Sequence, residues 1–406
     1  MRSKQTEIEY GVAAILIFLA ALIPIYMFSG LTPFSVNHYN SYSLQAQSWL
    51  QGRLDLPENY GHLEIAVFQN RYFISFPPFP SIVMLPFVLL MGTQTPDHLI
   101  ALAFSLLAVV YAYRIALRIT KEPQTAMFAS FFVCAGSNFL HVAPWGAVWY
   151  IAQTMAFAFT MLSLFYAISG HKLGKMLSLL FLACAAGCRP FNMLYAPLVC
   201  LLLYWDKGTV DIKTFALSLI KQAIPAIALG VFYMFLNLMR FGSIFEFGHN
   251  YLPEFTDAPL GQFNLTYLAN NLNSIFTLLP AVKDGLLDFP RFDGVAFWIV
   301  SPIAIAYAIY TVIMFVKGKM SKKDILNSVS IFLLSLVMLI VTAMHKTMGG
   351  YHFGNRYTVD ALPFLFLGFC IAIDCIQSKH VKFCYPLALF GCIVNIIGSI
   401  TYFGSY

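Results

Sequence analysis

Phe76-Pro77-Pro78-Phe79-Pro80-Ser81-Ile82-Val83-Met84-Leu85-Pro86-Phe87-Val88-Leu89-Leu90-Met91-Gly92 is the stretch on which the architecture turns. Its apolar part, Ser81 to Gly92, holds only twelve residues, is interrupted by Pro86 and is followed by Pro96. A helix needs roughly 20 apolar residues to cross a ~30 Å hydrocarbon core, so this run reads as interfacial or re-entrant. The assignment reaches beyond itself, because a crossing here would move every later loop to the other side.

The rest of the chain supplies the test. Only 10% of the 406 residues are charged, 59% are hydrophobic, and mean hydropathy is +0.74. A soluble chain keeps about a quarter of its residues charged. Longer apolar runs recur at 10–30, 97–118, 125–141, 147–169, 173–188, 190–205, 215–239, 294–316, 325–344, 357–377 and 383–403. With 81–92 held at the interface, Arg2, Lys4, Arg114, Arg118, Lys121, Lys172, Lys175, Lys207, Lys213, Lys221, Lys317, Lys319, Lys322, Lys323, Lys379 and Lys382 share the side of the N-terminus. Those are sixteen of the 24 basic residues; the other side keeps Arg53, Arg71, Arg189, Arg240, Lys283, Arg291, Lys346 and Arg356. Lys and Arg collect on the cytoplasmic face, and a crossing at 81–92 would reverse the bias.

The fold class read from this is an all-α polytopic membrane protein, one membrane domain over 1–406. It has about eleven transmembrane helices, the N-terminus in, the C-terminus out, and interfacial helices in the first long outer loop. Segment 11–29 reads as the first span rather than a cleaved signal, since Glu7 and Glu9 dilute the basic region and no small-residue cleavage pattern precedes Pro33. The formal charge of +6 reflects membrane anchoring. Nucleic-acid binding is not expected, because no basic stripe carries interleaved aromatics. The eight cysteines lie in or at the ends of spans and form no Cys-x-x-Cys pair, which argues against a redox or metal role.

Acidic residues partition the other way. Eleven of eighteen fall outside: Asp55, Glu58, Glu64, Asp97, Glu246, Glu254, Asp257, Asp284, Asp288, Asp293 and Asp360. Two outer loops are long, 31–96 and 240–293, and long loops carry function disproportionately. In the first, Tyr42, Ala46, Trp49 and Leu50 recur at helical spacing before Gly52, which predicts a short surface helix with a glycine cap. Gln69-Asn70-Arg71-Tyr72-Phe73 reads as a turn into a strand. Arg189, Arg240, Arg291 and Arg356 fall where span ends meet the outer interface, and Arg is well suited to bidentate phosphate binding. His249, His352, Glu246 and Asp257 make a scattered His/acid set of the kind that more often serves structure. No metal site is assigned, and metal dependence stays open.

Asn37-His38, an amphipathic run ending in Gly52-Arg53-Leu54-Asp55-Leu56, then an acid, then Arg71-Tyr72 and Phe76-Pro77-Pro78-Phe79-Pro80 resemble the first extracytoplasmic loop of the C-type glycosyltransferases. The resemblance is to the protein O-mannosyltransferase-like and aminoarabinose-transferase-like branches. Arg240-Phe241-Gly242-Ser243 and Phe353-Gly354-Asn355-Arg356-Tyr357, followed by Asp360 and Pro363-Phe364, resemble the same branch. The likeness covers nearly the whole chain, and the motifs' order and common outer side give it specificity.

The resemblance implies a multi-pass enzyme of a bacterial plasma (inner) membrane, working among membrane lipids. It would take a sugar from a polyprenyl phosphate to an acceptor that is lipid, glycan or protein, with inversion and without a cofactor. Basic residues would hold the phosphate while a first-loop carboxylate deprotonates the acceptor hydroxyl. Asn37, Arg71, Tyr72, Arg189, Arg240, His352 and Arg356 are the expected substrate contacts. Many members carry an Asp at the position of Asn37, and an amide cannot serve as the base. Glu64 is the favoured substitute, with His38 and Asp55 as alternatives, and burial of Glu64 should raise its pKa.

A transporter or lipid flippase is the competing reading. Span interiors hold few ionisable groups and no internal repeat is evident, which disfavours it. An inactive scaffold or acceptor-binding relative is the third reading, kept open by Asn37. There is no Gly-x-x-x-x-Gly-Lys or Asp-x-Asp pattern, so neither a nucleotide-sugar donor nor ATP drive is expected.

Overall fold

The computed structural model describes residues 4–206, 211–283, 285–292, 294–376 and 378–404. Arg2, Lys207, Asp284 and Asp293 of the charge count lie outside the described residues, as does the side chain of Lys379. The chain runs α1 (Lys4–Ser29), α2 (Ser41–Leu50), strands β1 (Ile65–Phe68) and β2 (Arg71–Ile74), α3 (Phe79–Met91), α4 (Asp97–Thr120), α5 (Pro123–Cys134), α6 (Phe139–Val142), α7 (Val148–Ile168) and α8 (Gly174–Cys188). It continues through α9 (Ala196–Asp206), α10 (Ile212–Phe241), α11 (Pro253–Thr256), α12 (Leu268–Thr277), β3 (Ala281–Lys283), β4 (Leu286–Asp288), α13 (Phe297–Val300), α14 (Ile303–Val316), α15 (Lys322–Ala343), α16 (Leu362–Ile376) and α17 (Tyr385–Phe403).

Seven helices among the described residues are long and apolar enough to cross a membrane: α1, α4, α7, α10, α15, α16 with its leading turn, and α17 with its leading turn. Four of the expected runs fall short of that length for local reasons. Run 125–141 breaks after Cys134, where Gly136 packs so closely on α17 that a Cβ would meet the Ala388 carbonyl. Run 294–316 divides at Ser301-Pro302, because proline disfavours helical backbone at the residue before it. Run 190–205 opens as a 3-10 turn behind Pro190, and run 173–188 yields the 15-residue α8. As expected, 81–92 forms a short helix: α3 has 13 residues.

Burial ranks the helices. Of the 18-residue apolar windows, those of α16 and α7 are 89% and 83% buried, so these two form the centre. Around them pack α4, α8 and α9 on α7, and α14 and α15 on α16. The window of α10 is only 6% buried, and Ile220, Ile224, Ile227 and Val231 lie bare along it. α10 packs on α8 along one side, and the apolar surface left bare on its other sides calls for lipid against it.

The first loop is ordered by ordinary turn chemistry. α2 ends where Gly52 takes φ 73°, as the sequence predicts. Gln69 and Asn70 both have positive φ (50° and 58°), the two-residue turn whose twist suits a hairpin. β1 and β2 pair from Ile65↔Ile74 to Phe68↔Arg71. α2 lies on α3, with Ser81 donating to Gln45 Oε1 at 2.8 Å.

Close backbone approach at Gly391 on α17 sets the fit of that helix, since a Cβ there would run into the Gly136 carbonyl and the Pro302 ring. Gly391→Val should lower thermal stability in detergent by about 1–3 kcal/mol through overpacking. Gly230→Ala, on open α10 surface with nothing nearby, should leave stability unchanged or raise it by up to ~1 kcal/mol.

Candidate active site

Proline and tryptophan positions bring the site together. Pro190 ends α8 and leaves Arg189 extended (φ −141°, ψ 99°), turned out of the helix direction. Asn355 caps the 3-10 turn beginning at Arg356 by accepting from the Tyr357 N–H at 3.1 Å. Pro144-Trp145-Gly146 leads into α7, whose first turn carries Trp149 and Tyr150. The hairpin base, where Ser75 Oγ donates to the Glu64 carbonyl at 2.9 Å, fixes Glu64. These segments and the second loop enclose a cavity of about 610 Å³.

Glu64, Arg189 and Arg356 all line it. Trp149 Nε1 donates to Glu64 Oε1 at 3.1 Å. Burial pushes the Glu64 carboxyl up to about 7; the Trp149 bond opposes this, nearby Glu254 adds to it, and Arg356 pulls it back. Arg189 forms an ion pair with Asp360 at 2.9 Å, and Gln153 Nε2 donates to the other Asp360 oxygen at 3.0 Å. Arg356 donates to the Gly349 carbonyl at 3.0 Å and pairs with no carboxylate among the described residues. Both guanidiniums lie over the Tyr357 ring, 4.5 Å and 5.0 Å from its centre. Tyr42, 2% exposed, lines the cavity with a hydroxyl that has no partner among the described residues.

Two histidines of the cavity were given no catalytic role by the sequence. His249 Nδ1 lies 3.1 Å from the Ser75 carbonyl, and His345 accepts from the Thr347 N–H at 3.2 Å. Burial, reinforced by neighbouring positive charge, lowers them to about 4 and about 3. Both are therefore neutral near pH 7, leaving the two arginines as the cavity's cations. Glu254 also lines the cavity, its carboxyl raised by partial burial. His345 follows the C-terminal end of α15 within two residues, a position the span boundaries alone could have flagged.

The other candidates lie elsewhere. Asp55 is held by Arg71 at 3.0 Å and Arg53 at 3.3 Å, and the Arg71 hydrogen bond leads in lowering it to about 2. Such a carboxylate is too weak a base for its expected role, and Arg71 is engaged with it rather than in the cavity. Tyr72 joins Leu56 in a backbone bridge. Arg240 turns inward, donating to Asn237 Oδ1 at 2.9 Å and to the Ile74 carbonyl at 3.4 Å, bracing the hairpin. His352 is fully buried and does not line the cavity; its backbone N–H donates to the Arg291 carbonyl at 2.8 Å. His38 is exposed and stacks on His62 with ring centres 4.1 Å apart. Glu246 caps Gly248 and Asn250, while Asp257 is exposed, so the His/acid set does not converge. No group of three or more metal-ligating side chains occurs among the described residues.

The position of Asn37 shows what sequence reading missed. Its N–H donates to Asp97 Oδ2 at 3.2 Å, and Ser43 Oγ donates to Asp97 Oδ1 at 2.9 Å. Its side-chain amide lies 3.1 Å from His98 Nε2, and His98 Nδ1 lies 3.1 Å from the Pro144 carbonyl. Asn37 Oδ1 in turn accepts from the Tyr39 N–H at 2.8 Å, and the Tyr39 ring packs 4.9 Å from Trp149. A buried network thus runs from Asp97 through Asn37 and Tyr39 to the tryptophan that holds Glu64. Asp97→Ala should leave two buried donors unpaired and cost about 1–3 kcal/mol in thermal unfolding, whereas Glu58→Ala on the exposed loop should cost nothing measurable.

No family profile and no curated protein matches the sequence. Solved structures do. ArnT from Cupriavidus metallidurans in the apo state superposes with TM-score 0.51 at 12% identity, covering 91% of this chain and 61% of ArnT. ArnT bound to undecaprenyl phosphate gives 0.55 at 11% identity, covering 96% and 76%. The apo oligosaccharyltransferase from Archaeoglobus fulgidus gives 0.52 at 12% identity, covering 99% of this chain and 56% of that enzyme. The chain thus spans about three fifths of the length of apo ArnT. It shares the overall fold of these proteins, the likeness that its first-loop motifs led one to expect.

Proposed function

We propose that this protein is a membrane glycosyltransferase that moves a sugar from a polyprenyl-phosphate donor to an extracytoplasmic acceptor with inversion. In this reading the chain crosses a bacterial plasma membrane about eleven times with its N-terminus inside. Loops 31–96 and 240–293 then lie on the outer face, and no organic cofactor is required. The observation that carries the proposal is Glu64, a carboxyl raised to about 7, sharing one cavity with Arg356 and Arg189. Glu64 accepts the proton of the acceptor hydroxyl as that oxygen attacks the anomeric carbon. The phosphate leaves toward Arg356, which forms no ion pair among the described residues. Arg189, half-neutralised by Asp360, orients the phosphate more than it charges the pocket. The unpartnered Tyr42 hydroxyl is available to donor or acceptor oxygen. His38 and Asp55 stand outside the cavity, which favours Glu64 as the base.

Purified protein in lipid nanodiscs, given a panel of radiolabelled polyprenyl-phosphate sugars, should release label from the lipid phase. Glu64→Gln should lower the rate by roughly 10²–10⁴-fold, the usual worth of a general base. Movement of label between leaflets without turnover would overturn the proposal in favour of a flippase.

The pH dependence follows from the sign of the shift. Below about 7 Glu64 holds its proton and cannot accept another, so the rate should rise with pH through 7 and level above it. Glu64→Gln should abolish that limb.

Arg356→Gln should reduce kcat/KM by on the order of 10²–10³-fold, as for loss of one charge-stabilising donor. Arg240→Gln should act on thermal stability and leave the pH profile unmoved.

A further inference from the structure

At the end of the bundle remote from Glu64, a second cavity of about 320 Å³ opens among the C-terminal ends of α4, α7, α9 and α16 and the first turns of α15. Its walls are apolar, with Ile119, Ile168, Leu367 and Ile371. Its rim carries charges of both signs: Arg118, Lys121 and Lys323 against Asp324 and Asp374. No two of these form an ion pair among the described residues. Asp324 spends one oxygen on the Ser321 cap of α15, and Arg118 donates to the Ile168 carbonyl at 3.3 Å.

Two buried polar atoms of the lining are left over. Asn327 is 2% exposed and its Oδ1 has no partner, and neither has the buried Nε1 of Trp205, among the described residues. Buried polar groups are paired in folded proteins, so an unpaired acceptor and donor in one cavity point to a ligand that supplies both. The unneutralised charges narrow its chemistry. A bare phosphate would face two carboxylates and the Asn327 oxygen, and a bare ammonium would face three cations. A group with both charges a few bonds apart satisfies each.

We propose that this cavity seats the phosphoethanolamine headgroup of a membrane phospholipid. Lys121, Lys323 and Arg118 surround the phosphate, with Trp205 Nε1 as an added donor. The primary ammonium gives its N–H groups to Asp374, Asp324 and Asn327 Oδ1. A choline headgroup has no N–H to offer these acceptors. The lipid form is favoured over the free headgroup by what lies beside the cavity. Leu326, Leu333 and Val337 expose an apolar stripe at i, i+7, i+11 along α15, on the side of Lys323 and running away from the rim, a bed for an acyl chain.

The test is native mass spectrometry of the full-length protein, equilibrated with equal amounts of phosphatidylethanolamine, phosphatidylcholine and phosphatidylglycerol of matched acyl chains. Phosphatidylethanolamine should be retained roughly tenfold over either other lipid, the worth of one charge-assisted hydrogen bond. Asp374→Asn, at an exposed position that spares folding, and Asn327→Leu should each remove the preference. Equal retention of phosphatidylglycerol would mean that the basic rim acts alone and would overturn the proposal. So would equal retention of phosphatidylcholine, by showing that the N–H groups are not read. Soluble phosphoethanolamine competing as well as the lipid, mole for mole, would overturn the lipid assignment in favour of the free headgroup.

Discussion

Asp360 accepts from Arg189 on one oxygen and from Gln153 on the other, joining the turn ahead of α16, the end of α8 and the second turn of α7. These elements converge beside the cavity that Glu64 and Arg189 line, and α7 and α16 have the two most buried apolar windows of the described spans. A buried ion pair adds little to net stability, because desolvating both ions offsets most of their attraction. Losing one partner is another matter, since the remaining charge is then stranded. The pair therefore acts as a constraint on geometry: α7 and α16 can sit in only one register that keeps Asp360 satisfied. That register also places Tyr357 beneath both guanidiniums and sets Tyr150 beside Arg356.

Electrostatic contrast within one loop follows from this framework. Glu64 and Asp55 are nine residues apart, yet they titrate on opposite sides of the ordinary carboxylate range. Asp55 lies near the surface between two arginines that stabilise its charge. Glu64 faces a cavity walled by aromatic rings, with an indole N–H as its one neutral donor and no cation in direct contact. Chain position is not the cause, because the same hairpin supports both. What differs is how much water and how many cations each carboxylate reaches. The neutral histidines fit the same picture, since a cavity already holding Arg189 and Arg356 disfavours further positive charge.

Features governed by local backbone rules were legible beforehand. α2 and its Gly52 cap, the turn at Gln69-Asn70 and the short α3 between prolines each rest on the chemistry of a few consecutive residues. Where long-range packing intervened, the reading was less complete. The run 125–141 looks continuous in hydropathy, but its break depends on how closely Gly136 meets α17, some 250 residues later. Arg240 has the look of an interfacial phosphate ligand, and only the hairpin packed against α10 turns it into a brace. Asp97 drew no notice beyond its sign, because its partners Asn37 and Ser43 lie more than 50 residues earlier.

By itself the sequence determined the class of environment and the local elements. Apolar length, proline placement and charge bias are sums over neighbouring residues, and a bilayer leaves helices as the main way to satisfy the backbone. It also singled out Glu64, Arg189 and Arg356 through their place at loop and span ends. Tertiary structure alone decided which charges meet. It paired Arg189 with Asp360, Asp55 with Arg71 and Glu64 with Trp149, and it left Arg356 without an ion-pair partner among the described residues. The physical reason is the distance dependence of electrostatics in a medium of low polarisability. A few ångströms decide whether a charge is matched or bare, and those ångströms are set by helices packed from distant parts of the chain.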